Sequence, residues 1–220
     1  MTTQINRRSL LKSTVLTGGV LAVTGTVAES SAAESTGFAP ADPARLAVPG
    51  AAARLPDLRP ARWIWYPSSR TLAGTMILFR HAFDLPSPPR RATGWILGSS
   101  RYLLFVNGRR IQFGPAPCDP RFEEMDPVDL TQVLQAGRNA LGVQVLFYGH
   151  GDGTWPAGKP GLLFWLEIER ADGEKCVIAS GSPWQSHYAR AWRPGQFKRW
   201  YLRAFQEDFD ARHYPHGWQT

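Results

Sequence analysis

The sequence predicts an all-β protein, an antiparallel β-sandwich or jelly roll with one short helix. Short runs rich in β-branched and aromatic residues recur along the chain, and turn signals separate them at intervals of about ten residues. Of the 9 Trp, 6 Tyr and 11 Phe, all except Phe38 lie between Trp63 and Trp218, which confines the core to that stretch. A segment of this length can bury a sufficient core without metal ions or disulfides.

The N-terminus has the pattern of an export signal. The run Asn6-Arg7-Arg8-Ser9-Leu10-Leu11-Lys12 precedes a mildly apolar stretch and then small residues, as in a twin-arginine signal peptide. Cleavage after Ala28 or Ala33 fits, and we take residues 1–33 as the signal. The alternative is an uncleaved anchor, although Gly, Ser and Thr interrupt the apolar run. We therefore expect an extracellular or periplasmic protein with no membrane segment after cleavage.

Residues 34–61 are rich in Ala and Pro and show no sustained periodicity, which predicts an extended linker. The predicted sandwich domain spans residues 62–220. Its first strands are expected at residues 63–66, 76–84 and 94–98, because Pro, Gly and Ser clusters bound these β-rich runs.

Residues 102–113 predict a β-hairpin, because Asn107-Gly108 supplies the two positive-φ residues of a type I′ turn. Residues 129–137 predict one or two helical turns, with Asp129 as an acidic N-cap and Gly137 at the end. Residues 141–147 alternate as a strand does. A second hairpin is expected from residues 161–170 and 175–179 around Asp172-Gly173.

The net charge of +7 falls to +5 once residues 1–33 are removed, because three basic residues and Glu29 leave with them. The basic residues are scattered as pairs without a recognition motif, so we expect no nucleic-acid partner. An exported basic protein would instead meet acidic polysaccharides, which are polyanions that it could attract.

Cys118 and Cys176 could pair in an oxidising compartment, but a chain exported in folded form favours two separate thiols.

No motif of a serine hydrolase, phosphate loop, dinucleotide site or zinc helix is present, so no cofactor is expected. His213-x-x-His216 lacks a third and fourth ligand, and no metal is expected. Acidic residues cluster in two loops, and sequence proximity does not oppose two carboxylates across a cleft as sugar hydrolysis requires. We interpret them as caps, turn formers and ion-pair partners: Glu123, Glu124, Asp126 and Asp129 in one loop, Glu207, Asp208 and Asp210 in the other.

The Gly-rich loop at residues 148–155 is the candidate ligand site. Tyr148, His150, Asp152 and Trp155 offer aromatic faces and hydrogen-bonding groups, the mixture that sugars require. The alternative is an ordinary Gly-rich loop in which Trp155 covers the end of the sandwich.

Several motifs together resemble the N-terminal region of bacterial α-L-rhamnosidases. They occur in the family's order and spacing from about residue 62 to the end: Trp63-Ile-Trp65, Tyr102-Leu-Leu-Phe-Val-Asn107-Gly108, Gly114-Pro115, Asp129-Leu-Thr, Gly137-x-Asn139, Pro183-Trp184 and Phe205-Gln-Glu207-Asp-Phe-Asp210-Ala-Arg212. The resemblance implies a galactose-binding-like β-sandwich that precedes a helical (α/α) barrel. In that family the barrel carries the acidic residues that hydrolyse terminal L-rhamnose with inversion.

The chain stops just past Arg212, where the family continues into the barrel, so no catalytic residue is carried over. We expect structural roles for Asn107, Gly108, Glu207, Asp210 and Arg212. The resemblance implies a non-catalytic domain that supports a barrel encoded downstream, with a rhamnose-containing glycan as the sugar partner. The alternatives are a stand-alone carbohydrate-binding module and a purely structural domain serving a separately encoded barrel.

Overall fold

The computed structural model describes residues 57–119, 121–151, 158–196, 201 and 207–220. The predicted signal peptide and most of the predicted linker lie outside these residues. The described strands are β1 (Thr75–Leu85), β2 (Arg91–Ser99), β3 (Arg101–Val106), β4 (Arg109–Gly114), β5 (Asp126–Asp129), β6 (Gly137–Phe147), β7 (Gly161–Glu169), β8 (Lys175–Ala179) and β9 (Gln185–Tyr188).

Two antiparallel sheets form a β-sandwich, as predicted. One sheet has the order β4-β3-β6-β1-β9 and the other the order β5-β2-β7-β8. The core lies between them because alternate side chains of each strand point inward. The five-stranded sheet contributes residues such as Phe79, Leu104 and Val143, and the four-stranded sheet contributes Ile96 and Phe164.

The five-stranded sheet also carries a small apolar cluster on its outer face. Met76 and Leu78 alternate with the inward residues of β1, and Ala189 is buried beside them. Trp192 and Trp218 pack onto this cluster. The C-terminal segment, residues 207–220, therefore covers part of the outer face.

The first hairpin is confirmed. Strands β3 and β4 pair across Asn107 and Gly108, which have φ values of 50° and 79°. Both values are positive, as a type I′ turn requires. The second hairpin is also confirmed, with β7 and β8 paired across the turn that contains Gly173.

One local prediction was wrong. Residues 63–66 form no strand: Ile64 makes a single bridge to Leu162, and Pro60 and Pro67 flank this short pairing. Residues 129–137 form a single turn, the shorter of the two predicted lengths, with Leu134 N donating to Leu130 O at 3.1 Å. Among the described residues the one helical segment is the 3₁₀ helix Ala211–His213.

The turn cannot continue as a helix because other groups use its backbone. Asp129 ends strand β5, and its side chain accepts from Thr131 N. The Asn139 side chain bonds both Gln135 N and Gln135 O, at 3.0 and 2.7 Å. Helix propagation would require Gln135 N to donate to a backbone carbonyl instead.

Both cysteines, Cys118 and Cys176, are free thiols. Among the described residues no helix is long and apolar enough to cross a membrane.

His81 is held in an aromatic stack near the end of β1. Its ring lies 5.9 Å from the Phe83 ring and 5.4 Å from the Trp184 ring, nearly parallel to both. Burial lowers the pKa of His81 below its ordinary value of 6.5, and the nearby Pro183 carbonyl partly offsets the effect. The folded protein therefore holds this imidazole in its neutral form more strongly than the unfolded chain does.

We expect Gly108→Val to destabilise the fold by about 2 kcal/mol, because a β-branched residue is strained at positive φ. The Cβ atom would also meet the Thr220 side chain at 3.0 Å. Urea unfolding measures the loss, with Arg109→Val at an exposed strand position as the control. A loss near zero for Gly108→Val would contradict the role given to the turn.

The stability contribution of neutral His81 should be complete above pH 6.5 and should decline as the pH falls below 6.5 toward the folded-state pKa. The direction of this pH dependence follows from the lowered pKa of His81, because the unfolded chain takes up the proton at a higher pH than the folded protein does. Unfolding free energies of wild type and His81→Gln, measured between pH 7.5 and about pH 5.5, should differ in slope. Parallel curves for the two proteins would refute the assignment to His81.

Candidate functional site

Asn139 is a buried polar side chain whose hydrogen-bonding groups are all satisfied. It is fully buried, and its Oδ1 accepts from Asn107 Nδ2 and from Gln135 N, both at 3.0 Å. Its Nδ2 donates to Gln135 O at 2.7 Å and to Gly137 O at 3.0 Å. All four hydrogen bonds that an amide can make are formed. The Gly137-x-Asn139 motif therefore fixes the start of β6.

Asn107 connects this cluster to the hairpin turn. Its Oδ1 accepts from Ala140 N at 2.8 Å, and its own N donates to Ala140 O at 2.9 Å. Gly108 N then donates to Gln219 O at 3.0 Å, so the turn also holds the C-terminal segment. Asn107 and Gly108 are placed for a structural role, as expected.

The motif residues Tyr102 and Gly114 lie where the two sheets meet at Asp126. The buried Tyr102 hydroxyl donates to Asp126 Oδ2 at 2.6 Å and accepts from Gln112 at 2.8 Å, which joins the two sheets. Burial is the main cause of the raised pKa of Tyr102, and the bond to Asp126 adds to it. A Cβ on Gly114 would lie 2.2 Å from the Asp126 carboxylate, so this position has no room for a side chain.

Glu207, Asp210 and Arg212 are engaged within the C-terminal segment and its neighbour Trp192. Trp192 Nε1 donates to Glu207 at 2.7 Å. Asp210 caps the 3₁₀ helix and accepts from the Arg212 backbone and guanidinium, while His213 lies 3.2 Å away. These hydrogen bonds from Arg212 are the main cause of the lowered pKa of Asp210.

Most of the other acidic side chains in the two clusters also have local partners. Asp126 binds Tyr102, Asp129 binds Thr131, and Asp208 pairs with Arg193. Within the described residues no group of three or more His, Cys, Asp or Glu could hold a metal ion.

The candidate sugar loop is only partly described. Tyr148 is buried, with 4% of its surface exposed, so little of its ring is accessible as the aromatic face suggested for a sugar. Its backbone N donates to Ser100 Oγ, a contact from a distant turn that the sequence pattern does not reveal. His150 is half-buried, while Asp152 and Trp155 lie outside the described residues.

A groove of about 230 Å³ opens beside Tyr148 on the outer face of the five-stranded sheet. Phe113 is 56% exposed there, and the Arg101 guanidinium lies 5.3 Å above its ring. Leu103 and Leu146 add apolar surface. Sequence analysis did not select these residues, although their alternation with the core residues of β3 and β6 marks them as outward-facing.

A larger groove of about 600 Å³ lies on the same face, at strand β9. We call it the outer groove. It is lined by Leu78, Arg80, Gln185, Ser186, His187, Pro215 and Trp218. It combines an aromatic ring with polar side chains, and sequence analysis missed it because its walls come from three separate parts of the chain.

Residues 87–220 match the family model described as Alpha-L-rhamnosidase N-terminal domain. This range covers more than half of the chain. The chain belongs to the α-L-rhamnosidase N-terminal domain family. An α-L-rhamnosidase of Streptomyces avermitilis is 32% identical over 118 residues, which are 49% of this chain and 12% of that protein.

Solved structures agree with this assignment. A GH78 family rhamnosidase of Bacillus sp. GL1 superposes with a TM-score of 0.61 at 29% identity, over 72% of this chain and 16% of that one. An α-L-rhamnosidase of Aspergillus terreus gives a TM-score of 0.55 at 25% identity, over 69% and 19%. The chain thus spans less than a fifth of the length of each of these relatives.

We expect Asn139→Leu to destabilise this rhamnosidase N-terminal domain by at least about 3 kcal/mol, because it removes the partner of three backbone groups and of the Asn107 amide. Gln135→Ala keeps those backbone bonds and should change the unfolding free energy by less than about 0.5 kcal/mol. Urea unfolding of both variants tests the difference, and equal stabilities would show that the buried amide is dispensable.

Proposed function

We propose that this chain provides a non-catalytic β-sandwich domain of an α-L-rhamnosidase-like glycoside hydrolase. The domain would support and position a helical catalytic barrel. The family match over residues 87–220 carries the proposal. The contacts of Glu207, Asp210 and Arg212 support it, because these motif residues bind local partners in place of facing one another across a cleft.

The part of the outer face around edge strand β4 is the surface that we assign to the barrel, whereas the outer groove lies at β9, the opposite edge of the same sheet. The C-terminal segment lies on this face, with Trp218 against Gly142 and Arg80 donating to Thr220 O at 2.6 Å. Any polypeptide joined to Thr220 would therefore leave the sandwich here. The exposed Phe113 adds apolar surface of the kind found at domain interfaces.

The proposal includes export. The paired Arg7 and Arg8, followed by the mildly apolar run, support secretion by the twin-arginine route. A glycan that contains rhamnose would then be met outside the cytoplasm.

A second candidate function is that of a stand-alone carbohydrate-binding module. The specific observation in its favour is the groove beside Tyr148, with its exposed Phe113 ring and the Arg101 cation. Titration with L-rhamnose and D-galactose would test it, and Phe113→Ala should then abolish binding while Phe122→Ala, at an exposed loop ring, should not.

We expect the purified chain to release no rhamnose from an aryl rhamnoside, because the carboxylates of its motif have local partners. Product formation is compared with buffer alone. Turnover that is lost in Glu207→Gln or Asp210→Asn would overturn the non-catalytic assignment.

The docking surface can be tested with a separately produced α-L-rhamnosidase barrel. Co-elution in size-exclusion chromatography should be weakened by Phe113→Ser and unchanged by Phe122→Ser, since Phe122 lies in a loop. Equal loss in both variants, or no loss in either, would contradict docking through this face.

A further inference from the structure

The outer groove has a built polar wall on an apolar floor. Antiparallel pairing sets Arg80 opposite Gln185 and Leu78 opposite His187, so all four side chains share the outer face of the sheet. Directly opposed Cβ atoms lie about 5 Å apart, and alternate residues of one strand about 7 Å apart. This spacing suits several hydrogen bonds to one sugar ring.

Trp218 supplies the aromatic wall. Its indole is anchored by Nε1, which donates to the Tyr214 hydroxyl at 2.9 Å, and by an edge contact with the Phe105 ring at 5.6 Å. Gly142 lies beneath it, since a Cβ there would meet the indole at 3.0 Å. The ring is therefore fixed before any ligand binds, which reduces the entropy cost of binding.

The outer groove carries positive charge. Arg80 lines it, and no Asp or Glu side chain does. Among the described residues Arg80 donates only to the main-chain oxygen of Thr220, from Nε and Nη2, and no acidic side chain pairs with it. The side chains of Gln185 and His187 have no hydrogen-bond partner within the part of the chain that the structure describes, and both are exposed.

We propose that the outer groove binds an acidic saccharide, a sugar ring that carries a carboxylate. The carboxylate pairs with the Arg80 guanidinium, the ring lies against Trp218, and the hydroxyl groups bond to Gln185 and His187. Arginine matches a carboxylate in charge, and Nη1 of Arg80, which has no partner among the described residues, remains to donate to it. The volume of about 600 Å³ is within the range of small-ligand sites. This binding does not depend on the proposed rhamnosidase role.

Two probes separate acid recognition from general sugar affinity. Methyl α-D-galacturonide and methyl α-D-galactoside differ only in a carboxylate or a hydroxymethyl group on the same ring carbon. In an amide NMR titration of the full chain, the galacturonide should shift the signals of β9 and of the Trp218 indole, with a dissociation constant of about 1 mM or weaker. The galactoside should bind at least about tenfold more weakly, because it lacks the charge-assisted contact.

Variants locate the site. Arg80→Gln should weaken galacturonide binding about tenfold, whereas Arg110→Gln, at an exposed position on strand β4, controls for the overall positive charge. Because Arg80 also holds Thr220, His187→Ala and Gln185→Ala provide variants that break no hydrogen bond among the described residues. Each should weaken binding without changing the urea midpoint.

Equal affinity for the two glycosides would overturn the proposal, as would shifts confined to other parts of the chain. Binding that Arg110→Gln weakens as much as Arg80→Gln would show nonspecific attraction to a basic protein, and would also refute it. If the chain binds the galacturonide but does not dock to a rhamnosidase barrel, the proposed function is contradicted and the saccharide proposal stands.

Discussion

The buried amide of Asn139 is the interaction on which most of the fold depends. It terminates the turn after β5, starts β6 and receives the Asn107 side chain from the hairpin. Since β6 is the central strand of the five-stranded sheet, this one side chain sets the positions of its neighbours β1 and β3. A buried amide with all its hydrogen bonds formed is stable, whereas one that has lost a partner is costly.

The same cluster reaches the outer face through Gly108, whose N holds Gln219 O. The C-terminal segment is therefore tied to the hairpin turn at one point and to Arg80 at another. With the segment fixed in this way, Trp218 is placed against Gly142, and the outer groove forms beside it. The structural motif of the family and the proposed saccharide site are thus connected through the hydrogen bond from Gly108 N to Gln219 O.

Features that depend on adjacent residues could be predicted from the sequence. The Asn107-Gly108 hairpin is one, because positive φ at two successive positions is a local demand. The turn predicted at residues 129–137 does not extend into a longer helix, because the Asn139 side chain takes both the N and the O of Gln135. The burial of Tyr148 and the outer groove also require contacts between distant segments, so periodicity could not reveal them.

The carboxylates illustrate how local partners limit chemistry. An inverting glycosidase needs one carboxylic acid that holds a proton near neutral pH and a second carboxylate that activates water. Asp210 is unsuited to the first role because Arg212 lowers its pKa. Burial raises the pKa of Glu123, but Glu123 shares one loop with the other acidic residues of its cluster, and closeness in sequence does not oppose two carboxyl groups across a cleft. These features support the non-catalytic role that we propose for this sandwich.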